Sequence, residues 1–274
     1  MGEGRLFVCG TPIGNLDDVT DRLRRTLASV DIIYAEDTRR SGKLLSRLGV
    51  QVPVRSLFTG NEKERSTEVV AHQAEGRDVA YISDAGMPAL SDPGAWLVRL
   101  ARAAGHAVSV IPGPSAVTTA LVLSGFDSDR FVFEGFLPRK GKDRKDRLAS
   151  IAADERPTVL FVSPHRFAQD VSDLASESGA DRVVAVTREL TKLHEQSWVG
   201  PVGEALTQFP DPVKGEVTLV VSGRPKPGPD PEAALRVARR LVADGMAPSE
   251  AARQAAAEAG VSRRQIYEAL LGQG

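Results

Sequence analysis

The residues able to do chemistry in this chain are gathered in a few loops. Ala35-Glu36-Asp37-Thr38-Arg39 sets two carboxylates beside a guanidinium at the end of a β-rich run. A carboxylate there could take a proton from a weak nucleophile, which typically contributes about 10²–10⁴-fold to a rate. A solvated strand end or a helix N-cap is the ordinary alternative for the same pair. Arg188-Glu189-Leu190-Thr191-Lys192, with Glu195 beyond it, offers a second acid–base group or a surface ion pair. We read Glu36, Asp37 and Arg39, together with Lys192, as the substrate-side residues. Three further loops carry Gly and Pro instead: Gly10-Thr11-Pro12-Ile13-Gly14-Asn15-Leu16, the run SDAGMPALSDPG over 83–94, and Pro112-Gly113-Pro114-Ser115-Ala116. Each alone reads as turn chemistry. Together with the Glu36 loop they make four loops at the carboxyl ends of expected strands, where open α/β sheets bind ligands.

The usual fingerprints are missing. No GxGxxG follows the first strand, and HExxH, CxxC and GxSxG do not occur. The four histidines (His72, His106, His165 and His194) show no ligand spacing, so no metal is expected.

The loops require an alternating scaffold. Strands are expected at Arg5–Cys9, Asp31–Ala35, Val79–Ser83 and Ala107–Ile111, then at Phe131–Glu134, Thr158–Val162, Val183–Thr187 and Glu216–Val221. Leu16, Val19, Leu23, Leu27 and Val30 keep a helical period, with Asp17 or Asp18 as its N-cap. Another helix is expected from about Asp92 to Ala104, stopped by Gly105. This predicts an N-terminal α/β domain over 1–113 and a second over 114–224. A Pro-rich linker over 225–231 then leads to a helical module over 232–274, with helices at about 231–244, 248–257 and 262–271. Ser262 is the expected N-cap of the last helix.

Composition narrows the class. Thirty-five basic and thirty-six acidic residues give a net charge of −1, against a surface that binds polyanions everywhere. The positive charge is local: six basic residues (Arg139, Lys140, Lys142, Arg144, Lys145, Arg147) stand against two acidic ones in nine positions. After Phe136-Leu137-Pro138 this run reads as a mobile basic loop feeding a cleft, with a solvated helix face as the alternative. In the tail, Gly260–Tyr267 is similar to the turn and second helix of a helix-turn-helix, which would present Arg263 and Arg264 to nucleic acid. Cys9 is the only cysteine, so a disulfide scaffold is excluded. No apolar run approaches the roughly 20 residues of a membrane span, and the start lacks a signal-peptide core. A cytoplasmic protein without membrane contact is expected.

The ordered segments GTPIGNLDD, AEDTRRS, SDAGMPALSDPG, PGPSA, FEGFLPRKGKDR, SPHR, RELTKLHE and KGEVTLVV resemble the tetrapyrrole methylases. Within them the match is to the bacterial branch that methylates a cytidine 2′-hydroxyl of 16S ribosomal RNA. The resemblance implies two α/β domains with S-adenosyl-L-methionine (SAM) in the cleft between them. It also implies a homodimer and a target in the decoding centre of the small ribosomal subunit. Carried over position by position, the cofactor wall comprises Pro12 and Ile13, then Asp84, Gly86, Met87 and Leu90, then Ser115 and Ala116. Val162, Thr187 or Arg188, and Val217 or Thr218 complete it from the second domain. The chain departs from the family pattern at Gly60, at Val162 and over 194–198. A methylase of a tetrapyrrole or other small molecule is the alternative within the fold, and a non-catalytic nucleic-acid-binding regulator is the alternative outside it. The basic run and the appended helices favour RNA, since a small substrate needs neither.

Overall fold

The computed structural model describes residues 4–209, 212–225 and 230–272. They divide into two compact units, Met1–Gly223 and Arg224–Gly274. In the first, β1 (Arg5–Cys9), α1 (Asp21–Ser29), β2 (Ile32–Ala35), α2 (Thr38–Leu48), β3 (Val54–Ser56), α3 (Glu62–Ala74), β4 (Val79–Ile82), α4 (Ala95–Ala103) and β5 (Ala107–Ile111) alternate. The strands form a parallel sheet in the order β3-β2-β4-β1-β5. All residues of β2 and β4 are buried, as a parallel sheet covered on both faces requires. Leu23, Leu27 and Leu45 cover one face with Ile33 and Ile82, while Val69, Leu97 and Ala101 cover the other with Tyr34 and Tyr81. The consecutive strands β4 and β5 flank β1, so the loops after all three open at one end of the sheet.

The second sheet holds β6 (Val132–Phe136), β7 (Thr158–Val162), β8 (Val183–Arg188), β9 (Gln196–Pro201) and β10 (Val217–Val221) in the order β6-β7-β10-β8-β9. Only β6 and β7 are parallel. Helices α6 (Lys142–Ala153) and α7 (Phe167–Ser178) pack on one face through Leu148, Ile151, Phe167 and Val171. The other face receives α5 (Ala116–Ser124) through Val117, Ala120 and Leu121. The short α8 (Ala205–Gln208) precedes β10. This is the expected α/β class.

Three local expectations change, and two strands are added to those expected. Thr20, not Asp17 or Asp18, caps α1, its hydroxyl accepting the Leu23 N–H at 3.1 Å; the two aspartates belong to a separate turn before it. Helix α4 starts at Ala95 because the preceding turn reaches as far as Gly94. The basic run is no mobile loop: from Lys142 on it is the first turns of α6. Strands β3 and β9, a three-residue edge and a half-exposed QSWVGP edge, carry no apolar alternation.

The second unit consists of α9 (Pro231–Ala243), α10 (Pro248–Ala259) and α11 (Arg263–Leu271). Its core is built from Ala234, Ala238, Ala252, Ala255, Ala256 and Ile266. Ser262 stands at the N-cap position of α11, but its hydroxyl makes no capping bond. The middle of the linker, residues 226–229, lies outside the described residues.

Candidate active site

The four loops of the first sheet meet. Thr11 and Gly86 exchange backbone hydrogen bonds at 2.9 and 3.1 Å, tying the β1 loop to the β4 loop. The Gly10 N–H donates to the Ile111 carbonyl at 2.9 Å. Gly10 and Gly113 then touch backbone to backbone: a Cβ on Gly113 would lie 2.7 Å from the Gly10 oxygen. The Asp37 N–H donates to Asp84 Oδ1 at 3.0 Å, and the Asp84 N–H to Glu36 Oε2 at 3.3 Å, which joins the β2 loop to the rest.

Between these loops and the second sheet lies a cavity of about 450 Å³, inside the roughly 300–1,000 Å³ range of small-molecule sites. Ile13, Met87, Leu90, Val162 and Val217 give it apolar walls, and Ser115, Ser163 and Thr218 add hydroxyls. One side is acidic, formed by Glu36, Asp84 and Asp92 with Arg40 beside them. Arg40 Nη1 donates to Asp84 Oδ2 at 3.1 Å. Desolvation first, and the charges of Asp84 and Asp37 next, raise the Glu36 pKa, while the Asp84 N–H and Arg40 oppose the rise. Burial, with Glu36 and Asp84 adding to it, pushes the Asp92 carboxyl up to about 6.

The segment carrying Asp92 and the loop after β8 are strained. Among the described residues, the non-glycine positions with positive φ are Ala89 (68°), Ser91 (66°), Glu189 (54°) and Thr191 (65°), all in two loops bordering the cavity or its neighbourhood. Such conformations cost about 1–3 kcal/mol each and persist only when neighbours enforce them. Here the Tyr81 hydroxyl donates to the Pro93 carbonyl (3.1 Å) and the Gly94 N–H to Glu62 Oε1 (2.8 Å). Across the cleft, the Asn15 N–H donates to Thr191 Oγ1 at 3.0 Å, docking the β1 loop on the loop after β8.

Of the expected cofactor positions, Ile13, Asp84, Gly86, Met87, Leu90, Ser115, Ala116, Val162 and Thr218 line the cavity. Pro12 is buried beside it without lining it. Arg188 departs from the expectation: its guanidinium turns to Gln196 Oε1 (2.9 Å) and the Lys214 carbonyl (2.8 Å) at a separate depression. Thr187 is buried, its hydroxyl donating to the Thr218 carbonyl at 2.9 Å. On the substrate side only Glu36 reaches the cavity. Asp37 caps α2 by accepting the Arg39 N–H at 2.8 Å, and hydrogen bonding to Arg39 lowers its pKa, which makes it a poor proton acceptor. Lys192 binds Glu189 (2.9 Å) and Glu216 (3.0 Å). Desolvation works against the Lys192 ammonium, yet the two carboxylates raise its pKa overall, so it stays a cation and serves no proton abstraction.

The expected RNA contacts also divide. Arg139, Lys140, Lys142 and Lys145 are exposed. Arg144 contradicts the expectation: it is 6% exposed and holds Asp170 at 2.8 Å and Asp173 at 2.6 Å, joining α6 to α7. Arg147 pairs with Glu134. In the second unit Arg264 pairs with Glu268 at 2.7 Å, and Arg263 is exposed. Reasoning from sequence missed Asp92, Arg40, Phe136 and Phe161 as lining residues. Asp92 stands inside the run SDAGMPALSDPG, but nothing local distinguishes it from a turn aspartate.

Asp92 yields a stability prediction. Between about pH 4 and 6 the folded chain keeps a proton there that the unfolded chain releases, so this group makes stability fall as pH rises through that window. Asp92→Asn is expected to raise stability at pH 7 by about 1–3 kcal/mol, since a shift from 3.8 to about 6 corresponds to at most about 3 kcal/mol. Equal denaturation midpoints for variant and wild type at pH 7 would contradict this.

Among the described residues no three His, Cys, Asp or Glu side chains are grouped to hold a metal ion, and no helix is long and apolar enough to cross a membrane. Residues 5–206 match the family model of the tetrapyrrole (corrin/porphyrin) methylases. The chain is similar to the ribosomal RNA small subunit methyltransferase I of Synechocystis sp., with 42% identity over 98% of both chains. It is similar to the enzyme of the same name from Thermotoga maritima, with 45% identity over 81% of this chain and 99% of that one. Among solved structures it resembles uroporphyrin-III-C-methyltransferase of Thermus thermophilus, with a TM-score of 0.57 and 18% identity over 80% of this chain and 94% of that one.

Proposed function

The chain belongs to the tetrapyrrole methylase family, and from that premise we propose that it transfers a methyl group from SAM to RNA of the small ribosomal subunit. The near-full-length identity to ribosomal RNA small subunit methyltransferases carries this reading. More finely, we propose the ribose 2′-hydroxyl of a cytidine in the decoding centre as acceptor, on 16S rRNA assembled in the subunit. A cytoplasmic homodimer, in which the three-helix unit adds RNA contacts through Arg263, completes the proposal.

The cavity fits SAM on its own chemistry. Its volume is adequate, its walls combine apolar side chains with hydroxyls, and Gly86 at φ 76° brings backbone against it. Ile13, Met87, Leu90 and Val162 would hold the cofactor, with Ser115 and Thr218 as polar partners. SAM supplies, when bound, an electrophilic methyl group on a positively charged sulfur.

The chain's own residues would then do three things. The apolar walls exclude water, which would otherwise stabilise charged reactants more than a charge-dispersed transition state. The joined loops fix the acceptor within attacking distance, a contribution of up to about 7–11 kcal/mol. Glu36 takes the hydroxyl proton: it lines the cavity, one of its oxygens accepts the Asp84 N–H, and its raised pKa makes it a better base than Asp37. Arg40 offsets part of the negative charge of the acidic side through Asp84.

Calorimetric titration with SAM, followed by incubation with labelled SAM and either 30S subunits or a porphyrinogen, tests the reading. SAM binding and label in 16S rRNA at one cytidine ribose are expected. Absence of SAM binding, or label in the porphyrinogen alone, would overturn it.

A further inference from the structure

We propose that the ring of Phe136 is a stacking platform for a base of the RNA substrate, at the rim of the methyl-transfer cavity. This rests on the reading of the chain as an RNA methyltransferase and adds the element that receives the nucleotide. Phe136 lines the cavity and is 56% exposed, with Leu90 at 41% also on the open side, whereas Ile13, Val162, Val217 and Thr218 are 3–7% exposed. A small ligand held by those walls sits deep. The ring of Phe136 lies at the mouth.

The fold goes out of its way to put the ring there. Phe133 and Phe136 are an odd number of residues apart, so in a regular strand they would face opposite sides of the sheet. A bulge at Glu134 and Gly135 shifts the register, with Phe133 opposite Val159 but Gly135 opposite Leu160 and Phe136 opposite Phe161. Gly135 takes φ 65° to allow it. Both rings therefore stand over Phe161, at centroid distances of 5.1 and 5.6 Å. Bulges re-aim side chains next to functional sites, and this one turns an aromatic face toward the cavity instead of the α6–α7 core, where Leu137 goes.

Three contacts fix the bulge and its continuation. Arg147 pairs with Glu134, the inserted residue. Arg166 and Arg144 donate to the carbonyls of Leu137 (3.1 Å) and Pro138 (3.0 Å). Beyond that anchor stand the exposed cations Arg139, Lys140, Lys142 and Lys145. An open aromatic face with cations a few residues away is the chemistry that grips single-stranded nucleic acid, the ring taking a base and the cations the flanking phosphates.

Phe136→Ala and Phe136→Trp would be compared with wild type for SAM affinity by calorimetry and for methyl transfer to 30S subunits. The alanine variant is expected to lower kcat/KM for 30S subunits about 10- to 100-fold, mostly through KM, with SAM Kd within threefold of wild type. The tryptophan variant, which keeps a stacking face, is expected to stay within about fivefold. Unchanged kcat/KM in the alanine variant, when wild type labels 16S rRNA normally, overturns the stacking role alone. So does a loss of SAM affinity as large as the loss of kcat/KM, which would place the ring against the cofactor. A wild-type protein that binds SAM but labels no RNA overturns the enzyme reading and this inference with it.

Discussion

Arg144→Ala is expected to lower the unfolding free energy by about 3–5 kcal/mol, the usual cost of removing one partner from a buried ion pair. The side chain is buried, and its Nη2 bonds Asp170 and Asp173 while Nη1 donates to the Pro138 carbonyl at 3.0 Å. Asp170 is itself buried, and desolvation raises its pKa despite Arg144 and Arg166. Truncating Arg144 leaves that carboxylate with Arg166 alone, at 3.2 Å. At about 2–4 °C per kcal/mol for a unit of this size, the melting temperature should drop by about 6–20 °C. Adding Asp170→Asn should recover part of the loss, since an amide carries no charge to desolvate. Lys142→Ala and Lys145→Ala, exposed neighbours on the same helix, should stay within about 0.5 kcal/mol. A melting temperature for Arg144→Ala within 2 °C of wild type would refute this account of how α6 is held to α7.

The second large effect concerns the loop junction. Gly113→Ala places a methyl 2.7 Å from the Gly10 oxygen and 2.8 Å from its carbonyl carbon. Both are backbone at the ends of paired strands, so neither can swing aside, and the β1 and β5 loops must spread. Overpacking of this kind costs typically about 1–3 kcal/mol of stability. The functional loss should be larger, because a displacement of about 1 Å in a positioning group can cost about 10²-fold. We expect kcat/KM for methyl transfer to fall at least about 100-fold, with weakened SAM binding. Gly42→Ala is the control. It lies exposed in α2 with open space around the added methyl, and should be neutral or stabilising by up to about 1 kcal/mol. A Gly113→Ala enzyme with wild-type kinetics would show that the backbone contact does not shape the site.

The two variants mark what distinguishes structural from chemical roles among residues that look alike. Six basic residues in nine positions read as one electrostatic feature. The structure divides them by helix period: Arg144, on the inner face of α6 with Leu148 and Ile151, is an internal clamp, while Lys142 and Lys145 face solvent. The same happens to Glu36 and Asp37. Alternation at the strand end turns Glu36 into the cavity, and Asp37 becomes the cap of α2.

The strands β1, β5 and β7 and the three tail helices were legible because apolar period, Gly stops and Pro starts are local signals. So was the set of loops that borders the cavity, since Gly and Pro runs at strand ends mark where backbone must approach closely. Three-dimensional pairing alone decided the rest. Whether Arg188 meets a ligand or Gln196, whether Phe136 faces the core or the cavity, and whether Asp92 keeps its proton near pH 6 depend on register, bulge and burial. These are set by atoms distant in sequence. Local patterns fix which elements form, while the electrostatic and steric surroundings of a side chain exist only once those elements have packed.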